Sequence, residues 1–179
     1  GATGNASKEG SVALGVASKA SEKRAMALGL GTLANAAYAT AIGSGGSNLN
    51  SSTRATADGA TAIGGNSVLG ANAFAANAVA IAGESVASAA NAMAIGRKAT
   101  ANAMDAIAMG DSSLASNAQA IALGKSSLAS GKTSAAIGYL AQATGENDYA
   151  IGSGAQAVGG WGTAIGNNSY AKGNGGSAI

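Results

Sequence analysis

Ala92-Met93-Ala94-Ile95-Gly96, Ala106-Ile107-Ala108-Met109-Gly110 and Ala120-Ile121-Ala122-Leu123-Gly124 are one phrase written three times, fourteen residues apart. The register runs forward through Ile137-Gly138, Ile151-Gly152 and Ile165-Gly166. Backward it passes through Ile81-Ala82, Ile63-Gly64, Ile42-Gly43, Leu28-Gly29 and Leu14-Gly15 to Gly1. Twelve copies fill the 179 residues; ten have fourteen residues, the copy opening at Gly43 has seven extra and that at Gly64 four extra. A fixed period of this kind marks a solenoid or fibrous array, a single domain over residues 1–179 in which each unit touches its neighbours. The extra residues fall in turns, within 44–52 and 65–70.

Let offset zero be the glycine that opens each copy. Offsets 5 and 12 are alanine in all twelve copies, offset 13 is always Ile, Leu or Met, and offset 3 is always small. Fourteen is also two heptads, so an alanine-rich coiled coil is the rival reading, and alanine is the best helix former. A glycine at the same place in every copy would cost that helix about 1 kcal/mol each time. The alternation in Ala120-Ile121-Ala122-Leu123 moreover has period two, where a helix repeats at 3.6. One unit therefore reads as two short strands, at offsets 10–13 and 3–5, joined by two turns. The turn glycines Gly15, Gly29, Gly43, Gly96, Gly110, Gly124, Gly138, Gly152 and Gly166 supply a positive φ that a Cβ would penalise. Ala82 breaks this series, and Gly83 beside it suggests a turn displaced by one residue.

Period two also sorts the faces. A two-strand coil of fourteen residues is thin, with an interior wide enough for little more than a methyl group. Alanine at offsets 5 and 12, with small residues at 3 and 10, suits that slot. Offset 13 then points outward, giving a stripe of Leu14, Leu28, Ile42, Ile63, Ile81, Ile95, Met109, Leu123, Ile137, Ile151 and Ile165, flanked by offset-11 residues such as Val12, Met26, Ile107 and Ile121. A soluble monomer does not expose a stripe of that length. Burying such side chains at roughly 1.5–3 kcal/mol each drives association; the number of chains does not follow from this.

Composition narrows the function. The chain is 47% hydrophobic but only 3% aromatic, with a mean hydropathy of +0.20 and pI near 9.0. Ten basic and eight acidic residues leave a net charge of +2. The basic residues form neither a stripe nor a run, so no nucleic-acid partner is expected. There is no Cys or His, so neither Ser-His-Asp nor Cys-His catalysis is available, and no cofactor or metal is expected. Gly131-Lys132-Thr133 lacks the partner glycine of a phosphate loop, since Ser126 stands there. Glu146 and Asp148 read as solvated turn residues. No offset supplies the threonine ladder of an ice-binding solenoid. No apolar run is long enough to span a membrane as a helix, so any anchoring segment lies outside this stretch.

Ser11-Val12-Ala13-Leu14-Gly15, Asn77-Ala78-Val79-Ala80-Ile81 and Ser177-Ala178-Ile179 resemble the S-V-A-I-G motif in the head domain of YadA-like trimeric autotransporter adhesins. The resemblance extends over the whole chain. It implies a left-handed parallel β-roll and a homotrimer packed through the aliphatic stripe. It also implies export to a Gram-negative outer-membrane surface and attachment to host cells or extracellular-matrix proteins. Thr40, Met93, Ala135 and Tyr149 depart from the motif's valine. The alternative is a structural fibre or spacer, such as part of a phage tail fibre or spike. Among binding candidates, the expanded turns offer a receptor loop at Ser47, Asn48, Leu49, Asn50 and Asn66, because solenoid insertions often lie on a binding face. Trp161 reads as a cap on the C-terminal coils or a contact with a following neck. Lys19, Glu22, Lys23 and Arg24 read as a solvated charged surface.

Overall fold

The computed structural model describes residues 3–44 and 51–179. They fall into two compact units, Gly1–Asn91 and Ala92–Ile179, built in the same way. The chain is an all-β parallel solenoid of about twelve coils of fourteen residues, and the described residues contain no α-helix.

Each coil contributes one strand to each of two ladders. In the first unit, Val12–Leu14, Met26–Leu28, Thr40–Ile42, Thr61–Ile63 and Val79–Ile81 pair successively in parallel. Lys19–Ala20, Leu33–Ala34, Arg54–Ala55, Asn72–Ala73 and Val86–Ala87 form the second ladder. In the second unit the longer strands run from Met93–Ile95 through Ile107–Met109, Ile121–Leu123, Ala135–Ile137 and Tyr149–Ile151 to Thr163–Ile165. The strands are one residue shorter than the alternation predicts, because the residues at offsets 10 and 3 close turns. The Ala106 N–H donates to the Ala103 carbonyl at 3.1 Å, and the Ser113 N–H to the Gly110 carbonyl at 3.3 Å. At offset 3 the side chain joins in: the Ser113 hydroxyl also donates to the Gly110 carbonyl, at 3.0 Å.

Register is strict. Ala108 lies between Ala94 and Ala122, and Met109 between Ile95 and Leu123. The alanines at offsets 5 and 12 have no exposed surface through nearly the whole chain, including Ala20, Ala27, Ala101, Ala108, Ala115 and Ala122. Ser18, Thr32, Ser85, Ser113 and Ser127 at offset 3 are buried with them. The interior is thus two alanine columns lined by small residues, as the thin slot requires. Strands of two or three residues have no stability alone and gain it from stacking on their neighbours.

The turns impose two kinds of constraint. Gly96 and Gly110 have φ of 126° and 134°, and consecutive turns also approach closely. A Cβ on Gly96 would lie 2.7 Å from the Gly110 carbonyl oxygen, and one on Gly110 would lie 2.6 Å from the Gly124 carbonyl carbon. At the exception, the turn does not move to Gly83. Ala82 itself takes a φ of 87°, and the Ser85 hydroxyl closes the turn on its carbonyl at 2.7 Å. Gly83 is needed for a different reason: its Cβ would sit 2.9 Å from the Asn66 backbone nitrogen. A second constraint has no invariant residue to announce it. Offset 9 is left-handed in every coil, whether occupied by Gly59, Asn91, Arg24, Tyr38, Thr133 or Trp161, with φ between 53° and 71° throughout. For a bulky or β-branched side chain this is a real conformational cost, on the order of 1–2 kcal/mol per residue.

Candidate functional site

The broadest unusual surface is the outer face of the longer strands. Because side chains alternate across a strand, burying Ala94, Ala108 and Ala122 turns Ile95, Met109 and Leu123 outward. Register then aligns each with its equivalent in the next coil. Leu14, Leu28, Ile42, Ile63 and Ile81 make one continuous column in the first unit. Ile95, Met109, Leu123, Ile137, Ile151 and Ile165 make another in the second. Leu14 is 70% exposed, Met109 and Ile165 40%, and the more covered members are half-buried. The offset-11 residues Val12 and Met26 are exposed beside the column, with Ile107 and Ile121 half-buried. Ladder neighbours already cover much of each side chain, so covering the remainder contributes about 1–2 kcal/mol per residue. That is less than a fully exposed side chain would give, but it is repeated along the whole column.

The two expanded turns differ. Ser47, Asn48, Leu49 and Asn50 lie outside the described residues. The shorter expansion is a built turn: Gly65 and Gly70 form an antiparallel bridge. The Asn66 Oδ1 accepts from the Val68 and Leu69 N–H groups at 2.8 and 3.0 Å, an Asx-type arrangement. Its Nδ2 donates to Glu84 Oε1 at 2.8 Å, tying the turn to the next coil. Asn66 therefore shapes the turn, and Val68 stands at its tip with most of its surface exposed.

Charged side chains, too, are organised by the period. Lys23 pairs with Glu9 at 3.5 Å, and the Arg24 guanidinium lies 5.7 Å from the Tyr38 ring centroid, so part of the charged cluster is engaged within the chain. Arg97 and Asp111, fourteen residues apart, form a bidentate pair with contacts of 2.8–3.2 Å. The Ser112 hydroxyl donates to Asp111 Oδ1 at 2.7 Å. That hydroxyl first, and then the Arg97 guanidinium, hold the Asp111 carboxyl below its ordinary pKa of 3.8.

Asp148 overturns its reading as a solvated turn residue. It occupies offset 10, an interior position, and has no exposed surface. Its Oδ2 accepts from the Gly145 N–H and its Oδ1 from the Gly162 N–H, both at 2.7 Å. Glu146 is exposed, as expected of a turn residue. The residues around Asp148 are reduced to glycine to admit the carboxyl: a Cβ on Gly145 would lie 2.6 Å from Oδ2, and one on Gly162 3.1 Å from Oδ1. Trp161 is 64% exposed, so its indole stands out from the C-terminal coils instead of capping them. Among the described residues no ligand-sized cavity opens.

Comparison with known families places this architecture. A sequence model of the YadA head domain repeat matches residues 6–32, 20–45, 51–67, 87–113, 103–127, 115–141, 129–155, 143–160 and 162–179, which together cover most of the chain. The chain belongs to the YadA head domain repeat family. YadA-type repeats thus account for the fourteen-residue period, the alanine interior and the turn glycine together. The chain is also similar to the crystal structure of the collagen-binding domain of the Yersinia adhesin YadA, with 20% identity and a TM-score of 0.34. That alignment covers 94% of this chain and 65% of the Yersinia chain, so this YadA-type head spans less than two thirds of that chain. No curated protein sequence matches.

Proposed function

We propose that this YadA-type head is an adhesin head that works as a homotrimer. In this reading three chains bury their aliphatic columns against one another, and the outward turns are left to meet a partner. The observation that carries it is the column itself, because an apolar ladder repeated in both units, outside an interior built mostly of alanine, has no intramolecular use. Export to the surface of a Gram-negative cell, anchored through segments outside this stretch, fits the family. The proposed partner is a host cell-surface or extracellular-matrix protein. Attachment proceeds by binding, without catalysis. Three copies per assembly and many assemblies per cell give an avidity beyond that of any single contact.

The solution mass tests the assembly directly. Light scattering on the purified chain is expected to give about three times 16.6 kDa. A stable monomer would overturn the assembly and with it the adhesin reading. A trimer that binds no immobilised cell-surface or matrix protein would favour a fibre or spacer element.

A further inference from the structure

Two unfavourable placements meet in one turn. Trp161, the single tryptophan, is held at a φ of 58° with most of its indole in solvent. The left-handed φ is common to this offset: Gly59, Gly175, Asn91 and Asn147 take it at little cost, while Arg24, Tyr38, Gln119 and Thr133 bear the same strain as Trp161. One coil earlier, Asp148 places a carboxyl group in a column that is alanine in most coils, an environment hostile to a polar group unless it is hydrogen-bonded. What sets this turn apart is the exposed indole standing one coil after a fully buried carboxyl group.

The two are connected through a backbone amide. At offset 10 the N–H ordinarily closes its own turn, as in Ala120 to the Asn117 carbonyl at 3.1 Å and Gly176 to the Gly173 carbonyl at 3.2 Å. The Gly162 N–H, immediately after Trp161, donates to Asp148 Oδ1. The turn before it opens accordingly: Gly159 and Gly160 take φ of 120° and 94°, and the preceding strand lengthens to Gln156–Val158. The Trp161 N–H is fixed on the Glu146 carbonyl at 2.8 Å. Asp148 is thus a positioning residue that sets the turn from within.

We infer that the Trp161 turn is a preformed binding platform for a neutral sugar ring, shaped by Asp148 from the interior of the roll. With no cavity among the described residues to receive an inserted side chain, a ligand must lie flat against the indole. A pyranose ring does so through its C–H face, and its hydroxyl groups need planar polar partners at the edge. The neighbouring rung supplies one: the Asn147 Oδ1 accepts from the Thr133 hydroxyl at 2.7 Å, leaving the Nδ2 hydrogens to offer. On the other flank the chain is bare, since a Cβ on Gly175 or Gly173 would meet nothing within 4 Å. The inference does not rest on the adhesin reading, and a sugar platform would stand in a fibre element equally well.

The single indole allows a direct test on the intact chain. Titration with lactose and with tri-N-acetylchitotriose is expected to change Trp161 emission saturably for at least one of them, with a Kd of about 1 mM for a contact of this size. Asp148→Asn, checked for retained far-ultraviolet circular dichroism, should weaken that binding by roughly fivefold or more, because the amide nitrogen cannot accept one of the two N–H groups. If that variant does not fold, Gly162→Ala displaces the carboxyl from the other side and should have the same effect. The inference is overturned if neither sugar gives a saturable response, or if a proline-rich peptide gives it and the sugars do not. Unchanged affinity in a folded Asp148 variant would overturn the positioning role.

Discussion

Ala122 has no exposed surface, whereas Ile121 and Leu123, its neighbours on either side, keep part of theirs open. The usual arrangement, large apolar residues inside and small or polar ones outside, is reversed across a single strand. The two faces answer to different conditions. The inner face is limited by the distance between two strands of one coil, so volume decides: alanine fills most of it, and the larger Thr32 and Asp148 enter only with hydrogen bonds to the backbone. The outer face is limited only by what comes to cover it, so there area decides. The same apolar character therefore means cohesion within a chain on one side and, in the proposed trimer, attraction between chains on the other.

The largest effect should come from erasing the outer half of this contrast. Replacing Ile95, Met109 and Leu123 together with Asn is expected to convert the assembly to monomers while leaving the strand signal in circular dichroism, because the alanine columns behind them are untouched. An assembly of unchanged mass by light scattering would mean that this face is not the interface. A smaller effect is expected on the inner face. Ala122→Leu should destabilise the fold by about 1–3 kcal/mol through overpacking, read as a lowered midpoint in chemical denaturation. A neutral result would show that the slot is wider than a methyl group and would dissolve the contrast.

The smallest effect belongs to neither face. Asp111 sits in a turn, and its depressed pKa adds stability that is present above the ordinary carboxyl value of 3.8 and lost as pH falls through the lower folded value. Ser112→Ala removes the principal cause and should move the Asp111 titration upward toward 3.8, as followed by side-chain NMR. A titration that stays in place would assign the shift to the Arg97 and Lys125 charges.

Much of this was legible because period and alternation are properties of the string itself. The alanines at offsets 5 and 12 announce an interior, and Ile95, Met109 and Leu123 announce an outer column. What was hidden depends on atoms that a repeat does not encode. Asp148 looks like a turn acid because a charged side chain at offset 10 is improbable until Gly145 and Gly162 are seen making room and donating to it. The left-handed offset 9 is concealed by its occupants, since Arg24, Tyr38, Thr133 and Trp161 share no chemistry. The Arg97–Asp111 pair was readable in principle: a separation of one repeat places two side chains on adjacent rungs.

Strict alanine register has a genetic consequence. Ala108 meets Ala94 on one side and Ala122 on the other, so a coil of this kind does not depend on its ordinal place. An in-frame duplication or deletion of one such repeat leaves the remaining alanine-to-alanine contacts at offsets 5 and 12 of the same type, so the length can change without a new packing solution for those columns. The stretch around Asp148 is different. Its carboxyl requires Gly145 behind it and the Gly162 amide ahead, so those three positions can be inherited only as a set. Lineages should vary freely in the number of plain coils and keep this trio together or lose it whole.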